Sequence, residues 1–284
     1  MLRLFNMYMY RMRVSLSTWM LIIVLAGMNV LGIIITKTID VLMPEENTEQ
    51  TTEYTETDAS SEEGMEVSVS VKENETEAES SIFDNIIADV SGGMILVFLV
   101  IFTTLFINAD DRHGYIKNIA TQVKNKQQLV IPRMMVIAVY TILLFTIYAV
   151  SCGITYKICY PATDIGFSWG AIGFLAIQFV LGMAILSITA LVTTLSRSTA
   201  LGVTCGVLLV TGFHLLFAGL GNMLITAIAG KEVIDLNEYL VVYQINSLPF
   251  PLDKSFIWAL GLGLVYIVIW NILSMTVLAK RDIV

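Results

Sequence analysis

The side chains that could carry out chemistry are few and scattered. His113 and His214 are the only two histidines in 284 residues, and Cys152, Cys159 and Cys205 are the only cysteines. A zinc hydrolase needs paired histidine ligands with a carboxylate base close by, and no H-E-x-x-H is present. No Asp or Glu falls deep within an apolar run, so intramembrane aspartyl chemistry and carboxylate proton relays have no residues to use. No G-x-x-x-x-G-K-[ST] is present to cradle a nucleotide phosphate, so ATP energy would have to enter through another chain. An odd number of cysteines, lying in or beside apolar runs, gives neither a disulfide framework nor paired metal ligands. The expectation is no catalytic set, no metal site and no cofactor held by this chain.

Polar residues inside apolar runs are the remaining candidates. His214 lies mid-run in Thr211-Gly212-Phe213-His214. An ionisable group in a span points to function, whereas a neutral imidazole bonded to a neighbouring helix is the structural alternative. Asn29, Gln178, His214 and Asn271 could line a translocation path, or each could tie two helices together. Gly202-x-x-x-Gly206 would let helices approach closely, either between subunits or within one.

These residues must be positioned by helices built against lipid. Hydrophobic residues make up 56% of the chain and charged ones 14%, a balance rare in a soluble globule of this length. The net charge of −8 is unevenly spread: sixteen of the 24 acids lie between Asp40 and Asp89. The remaining eight face fifteen cations, which argues for two differently charged membrane faces. Residues 1–16 combine Arg3, Arg11 and Arg13 with a stripe of Leu2, Phe5, Met9, Met12 and Leu16, which predicts an amphipathic interfacial helix. Spans are expected at about 17–36, 90–109, 134–156, 169–195, 199–219 and 255–279, within a transmembrane domain of 17–284. Residues 40–80 read as a disordered acidic outer loop. Ser81-x-x-Asp84 has capping-box spacing before a helix running into the second span. Ser196-Arg197-Ser198 should be a tight turn, and Gly219 and Gly221 the break after the fifth span. With the amino terminus inside, inner segments hold eleven Lys and Arg and outer segments five, so both termini are expected in the cytoplasm.

One stretch is unlike the rest. Residues 109–133 lie between two uncharged runs and carry Arg112, Lys117, Lys124, Lys126 and Arg133 behind Asp110 and Asp111. Tyr115, Ile116, Ile119 and Ala120 fall at helical spacing, which predicts a short amphipathic helix beneath the membrane, suited to docking a soluble partner.

An interfacial amino-terminal helix, six spans, an amphipathic cytoplasmic helix between spans two and three, and a broken outer hairpin between five and six together resemble an ABC-2 type permease. The likeness is to the bacitracin, lantibiotic and related peptide-export or immunity permeases. Its most specific part is Asp110-Asp111-Arg112-His113-Gly114-Tyr115-Ile116-Lys117-Asn118-Ile119, similar to the family's entry into its coupling helix. The family often has Glu and a small hydroxyl residue where Asp111 and Tyr115 stand here. The stretch 237–250 resembles the family's re-entrant outer helices, whereas the long acidic insertion has no family counterpart. The resemblance implies an all-α integral membrane protein with six transmembrane helices, a coupling helix and an outer re-entrant hairpin. It implies that Asp111, Arg112, Gly114, Tyr115, Ile116, Lys117 and Ile119 dock a separate ABC ATP-binding subunit, which holds ATP and Mg. It further implies a second permease subunit (identical or homologous), membrane lipid around both, a multi-pass place in a bacterial cell membrane, and no nucleic-acid partner. The cargo would be a hydrophobic or cationic peptide, or a lipid-like compound, exported by alternating access. The rival reading is a membrane-anchored peptide sensor or immunity protein whose acidic outer loop binds a cationic peptide without transport. A gradient-driven transporter would need intramembrane carboxylates or an inverted repeat, and neither is found.

Overall fold

The computed structural model describes residues 2–42, 81–112, 126–161, 166, 168–229, 236–250 and 255–280, and every regular element among them is a helix. Four helices are long and apolar enough to cross a membrane, and a bent pair makes up to five. The docking segment 113–125 and the acidic stretch 43–80 lie outside the described residues.

α1 (Leu2–Val14) and α2 (Leu16–Leu42) are separated by Ser15 alone, whose N–H still donates to the Arg11 carbonyl at 3.0 Å. Trp19 Nε1 donates to the Arg13 carbonyl at 2.8 Å and ties the first span back to the interfacial helix. α1 is more rotated than its apolar stripe predicts. Tyr8 and Met12 are its buried residues, one turn apart on one face, while Leu2 and Leu16 are exposed. The tyrosine turns inward because its hydroxyl has a buried arginine to bond. α2 also runs past the expected span end, to Leu42.

α3 (Ile82–Ser91) begins with the expected capping box: Ser81 Oγ accepts from the Asp84 N–H at 3.2 Å, and the Asp84 carboxylate accepts from the Ser81 N–H at 3.1 Å. The helix does not run straight on. Gly92 and Gly93 intervene, Gly93 adopts φ 74°, and α4 (Met94–Arg112) leaves at 52° to α3. After a 3-10 turn at Lys126–Leu129 comes α5 (Val130–Cys159), with Pro132 in its first turn, where a missing N–H costs nothing. α6 (Trp169–Ser196) is capped by Ser168 Oγ, which accepts from the Gly170 N–H at 3.2 Å. It ends at Arg197, whose φ of 53° reverses the chain at the expected turn, and Ser198 caps α7 (Thr199–Val210).

The fifth span departs from expectation. Its break falls at Thr211-Gly212, not at Gly219 and Gly221, which lie inside α8 (Phe213–Ala229). Gly212 takes φ 79°, and Thr211 closes α7 by bonding the Val207 carbonyl through its N–H (2.9 Å) and its hydroxyl (3.0 Å). With a rise of about 1.5 Å per residue, the twelve residues of α7 reach about 18 Å, short of a roughly 30 Å hydrocarbon core. No single continuous helix therefore covers 199–219, and among the described residues four helices, or up to five with the bent pair, are long and apolar enough to cross. The chain then forms a 3-10 turn at Leu236–Tyr239, a short α9 (Val241–Ser247) and α10 (Ser255–Lys280).

α6 sits at the centre, packed against α10, α7, α4, α9 and α3. Its hydroxyls are satisfied within the helix: Ser187, Thr189, Thr193 and Thr194 each donate to the carbonyl four residues back, at 2.7–3.0 Å. Gly202 and Gly206 press α7 onto the same chain, since a Cβ on Gly202 would strike Thr193 and Thr104 and one on Gly206 would strike Val100. Of the two readings of that motif, packing within one subunit holds. α2 turns Ile23 and Leu31 outward and α10 turns Val265 and Ile269 outward, apolar faces that suit lipid.

Candidate functional site

Asp110 occupies the last turn of α4, and its side chain is wholly buried. An isolated carboxylate there would cost several kcal/mol in lost hydration, so it must be paired. Two guanidinium groups from two other helices pair it. Arg133, in the first turn of α5, places Nε 2.8 Å from Asp110 Oδ2, and Arg11, in the last turn of α1, pairs with Oδ1. Arg133 Nε also donates to the Tyr8 hydroxyl at 3.2 Å, and Arg11 donates to the Phe106 carbonyl. The Arg11 guanidinium lies 4.8 Å from the Phe106 ring centroid, within cation–π range. From Phe106 an aromatic series runs through Phe102 (5.4 Å between centroids) to Tyr140, whose hydroxyl donates to the Thr18 carbonyl at 3.3 Å. The cluster thus ties α1, α2, α4 and α5 into one unit.

Its neighbours lie at the same end of the bundle. Asn108, two residues before Asp110, reaches the Arg197 carbonyl (3.3 Å) and the Thr199 N–H (2.9 Å) once its amide is oriented to satisfy both. The 3-10 turn at Lys126–Leu129 packs on α10. Asp110 and Arg133 stand on either side of 113–125, so the ion pairs hold the two ends of that segment together and to α1. What the arrangement does in the fold is tie α1, α4 and α5 together by charge.

The far end differs. Asp89 in α3 is exposed, and its carboxylate accepts one hydrogen bond, from the Tyr148 hydroxyl at 3.0 Å. Lys37 donates to the Cys159 carbonyl and lies 5.6 Å from the Tyr160 ring centroid. The three cysteines are free thiols.

The expected docking residues are placed only in part. Arg112 ends α4 with its side chain exposed, and the backbone of Asp111 precedes it in the same turn. Gly114, Tyr115, Ile116, Lys117 and Ile119 lie outside the described residues, as does the side chain of Asp111. The four candidate path residues are not brought together. Asn29 faces Tyr148 and Cys152 from α2, with its Oδ1 buried and unpaired. Gln178 Nε2 donates to the Ile245 carbonyl at 2.9 Å and pins α9 onto α6. Asn271 Nδ2 donates to Ser187 Oγ at 3.1 Å and joins α10 to α6. His214 lies in α8, its side chain outside the described residues. For Gln178 and Asn271 the helix-tying reading is the one the hydrogen bonds match.

Sequence reasoning missed the Asp110 cluster by counting its members as loop and interface charges. The signal was present: Leu99, Thr103, Phe106 and Asp110 follow 4-3-4 spacing and share one buried helix face. A carboxylate continuing an apolar stripe calls for buried cations, and Arg133 is the first cation in the apolar helix that follows the segment. No protein-family model matches the chain, and no curated protein matches it.

Proposed function

We propose that this chain is the membrane-spanning subunit of an ABC exporter of the ABC-2 type, with ATP and Mg held by a separate ATP-binding chain. The observation that carries this reading is the ion-paired cluster at the inner end. A segment that receives force from a soluble motor needs both ends fixed to the helices it moves, and Asp110 and Arg133 supply that fixing while Arg11 brings in the interfacial helix. The ATP-binding subunit would dock on 111–119, through Asp111, Arg112, Gly114, Tyr115, Ile116, Lys117 and Ile119. Two permease subunits, identical or homologous, would enclose the path for a hydrophobic or cationic peptide or a lipid-like compound. Both termini would face the cytoplasm of a bacterial cell, in line with the eleven inner and five outer cations. The breaks at Gly92-Gly93 and Thr211-Gly212 support the reading as well, since unwound turns let half-helices tilt independently.

The test is affinity purification of the tagged chain from its own membranes in mild detergent. An ATP-binding subunit should copurify with the unmodified chain, and Gly114→Trp, which puts bulk into the dock, should lose it. No ATP-binding subunit across several detergents would overturn the exporter reading and turn attention to the acidic outer stretch as a peptide receptor.

A further inference from the structure

A second polar cluster gathers where α2, α3 and α5 meet, apart from the Asp110 ion pairs. Tyr148, Cys152 and Tyr156 follow one another at i, i+4 spacing on one face of α5, with Tyr148 and Cys152 buried. Asn29 of α2, also buried, lies against Tyr148 and Cys152. The Tyr148 hydroxyl donates to Asp89 Oδ2 at 3.0 Å. Asp89 is the exposed member, so the cluster runs from a buried thiol and amide to an open carboxylate. We propose that this open end binds an organic cation, the ammonium or guanidinium group of a largely apolar molecule.

The position of Asp89 carries the inference. Read from sequence, the second span starts at about 90, one residue past this carboxylate. In the fold α3 and α4 together are long and apolar enough to cross a membrane, and Asp89 lies within that pair. It is eight residues beyond the Ser81 cap, about 12 Å along the helix at a rise of about 1.5 Å per residue. Carboxylates in spans are costly and almost always pair or face a polar occupant. Among the described residues no cation pairs with this one, since both ion pairs belong to Asp110. The cations of the neighbouring helices are directed elsewhere, Lys37 of α2 to the Cys159 carbonyl and Lys157 of α5 to the Pro161 carbonyl.

The donor set selects the kind of cation. The single bond from Tyr148 fixes the carboxylate without neutralising it and leaves most of its lone pairs open to N–H donors. Tyr156 lies within Coulombic reach of Asp89 and adds a second phenol on the same face of α5. A divalent metal fits poorly, because it needs about six oxygen ligands and no group of three His, Cys, Asp or Glu is present among the described residues. A small hydrated ion would have to shed its water to reach a carboxylate within a span, whereas an amine on an apolar carrier partitions there with its carrier. The site stands whether the chain exports its ligand or only senses it, because it depends only on α3 and α4 lying in a membrane.

Equilibrium binding of dansylcadaverine, a fluorescent primary alkylammonium, to the full chain in phosphatidylcholine nanodiscs tests the site, with the uncharged N-acetylated form as control. The expected result is binding of the cation about tenfold or more tighter than of the neutral form, unchanged when sodium replaces choline at constant ionic strength. Asp89→Asn keeps an acceptor for Tyr148, so the melting temperature should hold while the preference for the cation is lost. Asp89→Glu, which keeps the charge, should retain most of it. Tyr148→Phe, which lets the carboxylate turn away, should weaken cation binding by about threefold and decides the matter if Asp89→Asn folds poorly. Equal binding of the charged and neutral probes, or a preference that survives Asp89→Asn or, in its place, Tyr148→Phe, would overturn the site. Displacement of the probe by sodium would overturn an organic cation as its occupant. Discs of phosphatidylethanolamine separate the two sources of an amine: weaker probe binding there names the lipid headgroup as the resident cation, and unchanged binding names a soluble amine.

Discussion

The two ends of one broken span hold their carboxylates in opposite ways. At the end beside α1 Asp110 is fully buried and gripped by Arg11 and Arg133 from separate helices. Twenty-one residues earlier Asp89 is exposed and meets a neutral tyrosine. Between them the chain is broken at Gly93, and a Cβ on Gly93 would lie 3.4 Å from Val210, one residue short of the second break. Charge fixes the end beside α1, and two adjoining glycine turns shape the other half. A buried ion pair is costly to disturb because removal of either partner strands a charge, whereas a glycine turn resists little. The molecule is therefore stiff beside α1 and more compliant at the glycine turns.

Arg133→Met should do the most damage. It leaves Asp110 with Arg11 alone, and loss of one partner of a buried pair costs about 3–5 kcal/mol, read as a large fall in melting temperature in detergent. If that variant melted like the unmodified chain, the contrast between the ends would fail. Gly212→Ala comes next. A φ of 79° costs an alanine about 1–2 kcal/mol, so melting should drop moderately. At the far end, Tyr148→Phe removes a single hydrogen bond from an exposed carboxylate and should change stability by about 1 kcal/mol or less. A loss there as large as for Arg133→Met would erase the distinction. Gly219→Ala should stabilise slightly, by about 0.5–1 kcal/mol, because Gly219 is helical and a Cβ there meets nothing within 4 Å among the described residues. A loss at Gly219 matching that at Gly212 would return the break to where the sequence alone had set it.

The long helices were legible in the sequence because α2, α5, α6 and α10 are continuous apolar runs, and nothing but a helix satisfies their backbone in lipid. The capping box at Ser81 and the turn at Arg197 were legible for a local reason, since each is set by side chains within three residues. The breaks were not. Gly92, Gly93, Gly212, Gly219 and Gly221 carry the same local permission to bend, and packing against α4 and α6 decides which of them bends. The buried face of α1 was also misjudged: hydrophobicity ranks Leu2 and Leu16 above Tyr8, but only Tyr8 has a hydroxyl for Arg133. The 4-3-4 spacing from Leu99 to Asp110 marks that carboxylate as buried, but the cluster joins residues 11, 110 and 133, and separations of that length leave no trace of which cations pair with it.

The most direct test exchanges 113–125 for a Gly/Ser linker of equal length in the tagged chain. Asp110, Arg133 and Arg11 remain, so the melting temperature should stay close to that of the unmodified chain while the copurifying ATP-binding subunit is lost. An ATP-binding subunit recovered in full with the linker variant would contradict the claim that the ion-paired inner end presents this segment to a motor.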